Sequence, residues 1–186
     1  MNKLQGFTLL GLSHAIGIQH LSQLSQLTSL GVGHIEDGLS TLVKLKHLQA
    51  AATSPHTLWR PLVSLSASLV TLTNLRSLDC IRVQHYQVSN LTVLTALSTL
   101  TICLVVDTPF DYQSCMAVWS ELAKLPHLHT LSVCGHADVK DFQAIAVLSS
   151  LTKLHLEGST TDVDFRAEDV NKLSALASLQ GNNPCL

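Results

Sequence analysis

The stretch that decides the fold is LSQLSQLTSLGV, residues 21–32. Leucine occupies every third position from Leu21 to Leu30, a spacing that is typical of a 3₁₀ or helical turn with one apolar edge. At the end of the stretch Leu30 and Val32 alternate with Gly31, and this period of two predicts a short strand with one buried face. A turn and a strand of this size cannot bury their apolar sides alone, but stacked copies can, because they share one core.

The same pattern, LxxLxL or a close apolar variant, recurs along the chain. The central residues of successive copies lie between about 18 and 31 residues apart, and most steps fall within the range of about 20–29 that is typical of short solenoid repeats. Eight copies are present. They are Phe7-Leu10-Leu12, Leu27-Leu30-Val32, Leu45-Leu48-Ala50, Leu75-Leu78-Cys80, Leu97-Leu100-Ile102, Leu128-Leu131-Val133, Leu151-Leu154-Leu156 and Leu176-Leu179-Gly181.

Eight copies in near-regular register resemble the leucine-rich repeat family. The resemblance implies an α/β solenoid, a right-handed horseshoe with a parallel β-sheet on its concave face and turns or short helices on its convex face. We expect residues 1–186 to form a single leucine-rich-repeat domain of about eight repeats. Since neither end shows the polar-faced capping unit that solenoids need, we also expect the chain to be a fragment that lacks its end caps.

One column of the repeat departs from the family pattern. Leucine-rich repeats commonly carry Asn three residues after LxxLxL, where its amide satisfies buried backbone groups. No copy has Asn there, and apolar residues such as Ile35, Val83 and Val105 occupy the position. The buried backbone N–H and C=O groups after each strand must therefore form hydrogen bonds with groups other than an Asn amide.

Two longer repeats are predicted to contain helices on the convex side. Thr108-Pro109 has the character of an N-cap followed by the first helical residue, and Cys115, Val118, Trp119 and Leu122 then recur at helical spacing. A shorter helix is expected over residues 141–148.

Composition excludes several classes of protein. The formal net charge is −2, the apolar fraction is 46% and the charged fraction is 13%, which is unlike a disordered tail. Without clustered Lys and Arg, we expect no nucleic-acid partner, and without a long apolar run we expect no membrane association. The five cysteines are odd in number and lack CxxC spacing, so we expect reduced thiols in an intracellular protein.

The residues that flank the inward leucines of each strand should point to the concave face. These columns are small, mostly neutral and rich in hydroxyl groups, which suits recognition of a protein partner by shape and hydrogen bonds, although such residues also simply suit exposed strand positions. The candidate partner-binding residues are His47, Gln49, Ser77, Asp79, Thr99, Thr101, Thr130, Ser132, Lys153, His155 and Glu157.

No pattern in the sequence indicates a reaction. Cys103 and Cys134 share a column, with His136 nearby, but a zinc site normally needs four closely spaced ligands, so free thiols are the better interpretation. The acidic cluster at residues 162–169 fails the calcium-loop pattern, because Arg166 occupies a ligand position. We therefore expect no catalysis, no cofactor, no metal and no small-molecule substrate.

The first functional hypothesis is a non-catalytic interaction module, an intracellular scaffold or adaptor. A cytoplasmic location, including the cytoskeleton or the cilium axoneme, and the substrate-receptor arm of a ubiquitin ligase are settings that the resemblance implies. The alternative is a fragment of an extracellular receptor-type recognition ectodomain, which predicts paired cysteines.

Overall fold

A computed structural model of the chain describes residues 4–9, 23–32, 39–50, 69–105, 112–135 and 145–158. Seven short strands follow one another there, and all neighbouring strands are parallel and hydrogen-bonded in chain order. The strands are β1 Gly6–Leu9, β2 Ser29–Val32, β3 His47–Ala50, β4 Ser77–Gln84, β5 Thr99–Val105, β6 Thr130–Gly135 and β7 Lys153–Gly158.

The period-three leucines form the tight turns that lead into the strands. Before β3 the backbone N–H of Leu42 donates to Leu39 O at 2.9 Å, and the N–H of Leu45 donates to Leu42 O at 2.9 Å. Such bonds across three residues define the 3₁₀ turn, in which side chains three positions apart lie above one another. The equivalent bonds recur before β4, β5, β6 and β7, which confirms the period-three interpretation.

The leucines of these turns and the inward residues of the strands form one continuous core. Leu45 is 0% exposed and the central residue of the next strand, Leu48, is 1% exposed; Leu97 and Leu100 repeat this arrangement at 0% each. Burial of apolar side chains stabilises the stack by roughly 1.5–3 kcal/mol for each fully buried leucine. Shared interior packing between successive copies is therefore what holds the solenoid together.

Strand β4 runs further than the repeat pattern predicts. Its register against β5 shifts between Cys80 and Val83, and Val83 then pairs with Leu104. Val83 is fully buried at the position where the family commonly has Asn. Here β4 continues to pair with β5 beyond Cys80. This pairing satisfies backbone N–H and C=O groups that the Asn side chain satisfies in the family pattern.

One α-helix, α1 Tyr112–Leu122, lies in the described part of the longer repeat before β6. Val118, Trp119 and Leu122 are each 1% exposed, as their helical spacing predicts. The helix packs against the 3₁₀ helix His85–Val93 of the preceding repeat. The longer connection thus adds to the core on the side of the sheet that the leucine turns occupy.

The first copy of the repeat lies three residues earlier than predicted. Phe7 pairs with Leu30, and Leu9 pairs with Val32, so the first strand uses Leu4, Phe7 and Leu9 in place of Phe7, Leu10 and Leu12. The sequence allows both frames, because Phe7 fits the first and the central position of the pattern equally well. Only pairing with β2 selects between them, since a change of register moves the inward set of side chains.

Several predicted features lie outside the described residues. These are the eighth copy at Leu176-Leu179-Gly181, the N-cap pair Thr108-Pro109 and residues 141–144, the first half of the short helix expected over residues 141–148. Residues 145–148 of that segment are described, and its apolar residues Ile145 and Leu148 are buried. Among the described residues no helix is long and apolar enough to cross a bilayer.

Candidate functional site

Two columns of side chains cross the solvent-facing side of the sheet in direct register. The first column joins the residue before the central leucine of each strand, from Ser29 and His47 to Ser77, Thr99, Thr130 and Lys153. The second joins the residue after it, from Gln49 to Asp79, Thr101, Ser132 and His155. Neighbouring members belong to strands about 4.8 Å apart, so ten of the predicted site residues form two adjacent rows.

The rows change character along the sheet. The middle strands β4 to β6 carry short, half-buried side chains, among them Ser77, Thr99 and Thr130. The strands on either side carry long, exposed ones, such as His47 on β3 and Lys153 on β7. A partner can thus approach the backbone most closely over β4 to β6, with longer polar groups at both margins.

Asp79 is the acidic side chain of these rows and it is half-buried. Burial raises the pKa of the Asp79 carboxyl above its ordinary value, and a hydrogen bond from Gln49 lowers it in part. In that bond Gln49 Nε2 donates to Asp79 Oδ2 at 3.4 Å, which is long for a strong hydrogen bond. The carboxylate is therefore poorly compensated and is able to accept a better donor.

The third column, to which Glu157 belongs, is regular only at one end of the sheet. Cys103, Cys134 and Glu157 are register partners on β5, β6 and β7. Between β4 and β5 the register shift interrupts this column. Cys103 is a free thiol, and within the described ranges no group of three or more His, Cys, Asp or Glu side chains could hold a metal ion.

The far end of the surface differs from the one that the predicted first copy, Phe7-Leu10-Leu12, implies. Because β1 is shifted by three residues, the rows begin with Gly6 and Thr8, which are the partners of Ser29 and Gly31. Gly31 is buried in spite of its outward position, and a Cβ added there would lie 2.8 Å from Thr8 Cγ2. The signal that could have found this frame is the alternation of Phe7 with Leu9.

Solved structures of other proteins are similar to this chain. A leucine-rich-repeat protein of Leptospira interrogans is similar with a TM-score of 0.54 and 14% identity over 96% of this chain. This chain spans about half the length of that structure, 48%. An internalin from Listeria monocytogenes is 18% identical, with 87% of this chain and 62% of the internalin covered and a TM-score of 0.33.

No protein-family model and no curated protein matches this sequence. The fold is shown by the repeated leucine turns, by the parallel strands stacked in chain order and by the likeness to the Leptospira structure. This chain therefore has the leucine-rich-repeat fold.

Proposed function

We propose that the chain is a non-catalytic interaction module that binds a protein partner on its concave face. The observation that carries this proposal is the pair of in-register polar rows across the solvent-facing side of the sheet. A packed core of leucines lies directly beneath them. Side chains on such a rigid support lose little conformational freedom on binding, which favours affinity.

The chemistry of the rows fits a protein surface better than a highly charged ligand. Hydroxyl groups at Ser77, Thr99, Thr101, Thr130 and Ser132 both donate and accept hydrogen bonds. Six strand spacings of about 4.8 Å make the surface almost 30 Å long, which is enough for an extended segment or for one side of a standard interface.

The non-catalytic part of the proposal rests on how these hydroxyls are arranged. A serine or threonine hydroxyl becomes a nucleophile when a base accepts its proton. Ser132 and His155 are direct register partners, yet no hydrogen bond joins their side chains in the described structure. Recognition is the role that such unactivated hydroxyls can fill.

An intracellular setting as a scaffold or adaptor is part of the proposal. Support comes from the odd number of cysteines in the sequence and from the free thiol of Cys103. Titration of thiols in the denatured protein without reductant should find five. A lower number, which would mean paired cysteines, would favour the extracellular receptor-type alternative.

Binding is tested with two substitutions in the same repeat. Thr101 lies half-buried in the second row, and Thr95 lies exposed in the turn that precedes β5. Thr101→Arg places a long cation over the middle of the concave face, whereas Thr95→Arg adds the same charge away from it. We expect a partner captured by the wild-type chain in crosslinking mass spectrometry to be retained by Thr95→Arg and lost with Thr101→Arg.

Both variants should melt within a few degrees of the wild type, because neither position belongs to the core. Equal capture by all three proteins would contradict binding on the concave face. Crosslinks that map to the helix side of the sheet would contradict it as well.

A further inference from the structure

Three cations gather on the edge of the solenoid that leads into β3 and β4. Lys44 and Lys46 belong to the turn before β3, and Arg76 directly precedes β4. All three side chains are exposed. We call this group the basic rim.

The backbone of the basic rim is fixed by hydrogen bonds between repeats. Lys46 O accepts the N–H of Arg76 at 2.8 Å and the N–H of Ser77 at 2.9 Å. Asn74 Nδ2 donates to Val43 O at 2.8 Å, which ties the second turn to the first. Lys46 and Arg76 are thus neighbours in adjacent repeats, with backbones about one strand spacing, roughly 4.8 Å, apart.

Among the described residues, no ion pair joins a carboxylate to any of these three cations. Lys44 Nζ donates to the neutral amide oxygen of Gln26 at 2.7 Å. Within the described residues the ion pair is elsewhere, between Lys124 and Glu121. The sequence has no acidic residue between Asp37 and Asp79, although acidic residues outnumber Lys and Arg in the whole chain.

An anion beside several exposed cations is attracted by each of them. We propose that the basic rim binds an acidic peptide segment, rich in Asp or Glu, of a protein partner. Alternate carboxylates of an extended segment lie about 6.6 Å apart, a spacing that the long side chains of Lys46 and Arg76 can follow. The rim adjoins the concave rows, because His47 and Ser77 are the next residues along the chain.

The number of charges favours a peptide over other anions. Specific binding to nucleic acid commonly uses about 6–10 phosphate contacts, and recruitment to an anionic membrane commonly uses clusters of about 4–8 basic residues. Three cations fall short of both. This inference adds to the proposed function the chemical class of one segment of the partner. It concerns a separate surface, so experiments can refute either proposal while the other stands.

The test is a titration of a fluorescein-labelled peptide of alternating Glu and Ser, followed by fluorescence anisotropy at about 0.15 M ionic strength, where the Debye length is about 8 Å. Lys46→Glu reverses one charge of the basic rim, and Lys124→Glu reverses one exposed charge outside it as the matched control. We expect Lys46→Glu to weaken binding roughly tenfold, because an attraction becomes a repulsion. The control should weaken binding less than about twofold, since Lys124 precedes β6, two strand spacings or about 10 Å beyond β4, and charges beyond the Debye length are largely screened.

Equal weakening by the two variants, or no binding of the peptide to the wild-type chain, would overturn the proposal. Tighter binding of a DNA duplex than of the peptide, with the same sensitivity to Lys46→Glu, would assign the rim to nucleic acid instead. If Lys46→Glu lowers the melting temperature, Arg76→Glu provides a second charge reversal in the basic rim for the same titration. Thr101→Arg should leave the affinity for this peptide unchanged, which separates failure at the rim from failure on the concave face.

Discussion

The two faces of strand β5 carry opposite kinds of side chain on one short segment of backbone. Leu100 and Ile102 point inward and are 0% exposed, whereas Thr99 and Thr101 alternate with them and are half-buried on the other face. The inward set joins the leucines of the neighbouring repeats, and the outward set joins the polar rows. Alternation along a strand thus separates residues that hold the fold from residues that are free to bind.

The largest expected effect comes from a charge placed on the inward face. Leu100→Asp should lower the free energy of unfolding by more than about 4 kcal/mol, because a carboxylate there is buried without a partner. Thermal melting followed by circular dichroism measures the change, and Thr101→Asp is the control on the outward face of the same strand. Similar melting temperatures for the two variants would contradict the inward placement of Leu100.

A medium effect on stability is expected at Gly31, which lies on the outward face of β2 but is buried like a residue of the inward face. Gly31 belongs to the outward row and yet is buried beside Thr8. Gly31→Ala should cost about 1 kcal/mol, because the new Cβ would lie 2.8 Å from Thr8 Cγ2. In a Thr8→Ala background the cost should nearly vanish, since the atom that meets the Cβ is gone, and chemical denaturation of the four proteins gives the coupling. Additive costs would mean that the close contact is not what excludes a side chain.

The smallest effect is expected at Asp79, the partly buried acid of the outward face. Its pKa is raised by burial in the folded chain, so the folded state holds the proton more tightly than the unfolded state. Stability should therefore fall as pH rises from about 3.9, the ordinary value, through the raised pKa. Asp79→Asn keeps an oxygen that can accept the hydrogen bond from Gln49. Because the amide does not ionise, the variant should not lose stability as pH rises through this range.

We expect Asp79→Asn to match the wild type below about pH 3.9 and to be more stable at neutral pH, by less than about 0.5 kcal/mol. The measurement is the difference in melting temperature between the two proteins across this pH range. A difference that is constant, or that shrinks as pH rises, would contradict the assigned direction of the pKa shift.

The repeat unit could be predicted from the sequence because its signals are local. Leucines three residues apart define the turn, and the change to a period of two defines the strand, as in Leu39 to Ala50. The helix at Val118, Trp119 and Leu122 was predicted for the same reason. Ten of the eleven candidate site residues follow from this periodicity and stand in the rows where the pattern placed them.

Features that depend on the neighbouring repeat could not be predicted in this way. The frame of β1 required the pairing of Phe7 with Leu30, and the burial of Val83 required a register shift against β5. The sequence also gives no sign of the unpartnered indole of Trp119, whose Nε1 is buried without a hydrogen-bond partner among the described residues. Each of these results from contacts between residues that are distant in sequence.

By itself, the sequence determined the building block, its inward leucines and the polar character of the concave face, because hydrophobic spacing acts within a single repeat. The tertiary structure decided which frame the first strand uses, which acid is half-buried and which cations stand together without an ion pair among the described residues. Lys46 and Arg76 become neighbours only because parallel strands bring residues from successive repeats to within one strand spacing, about 4.8 Å. Stacking of the repeats thus creates the surfaces on which both proposals rest.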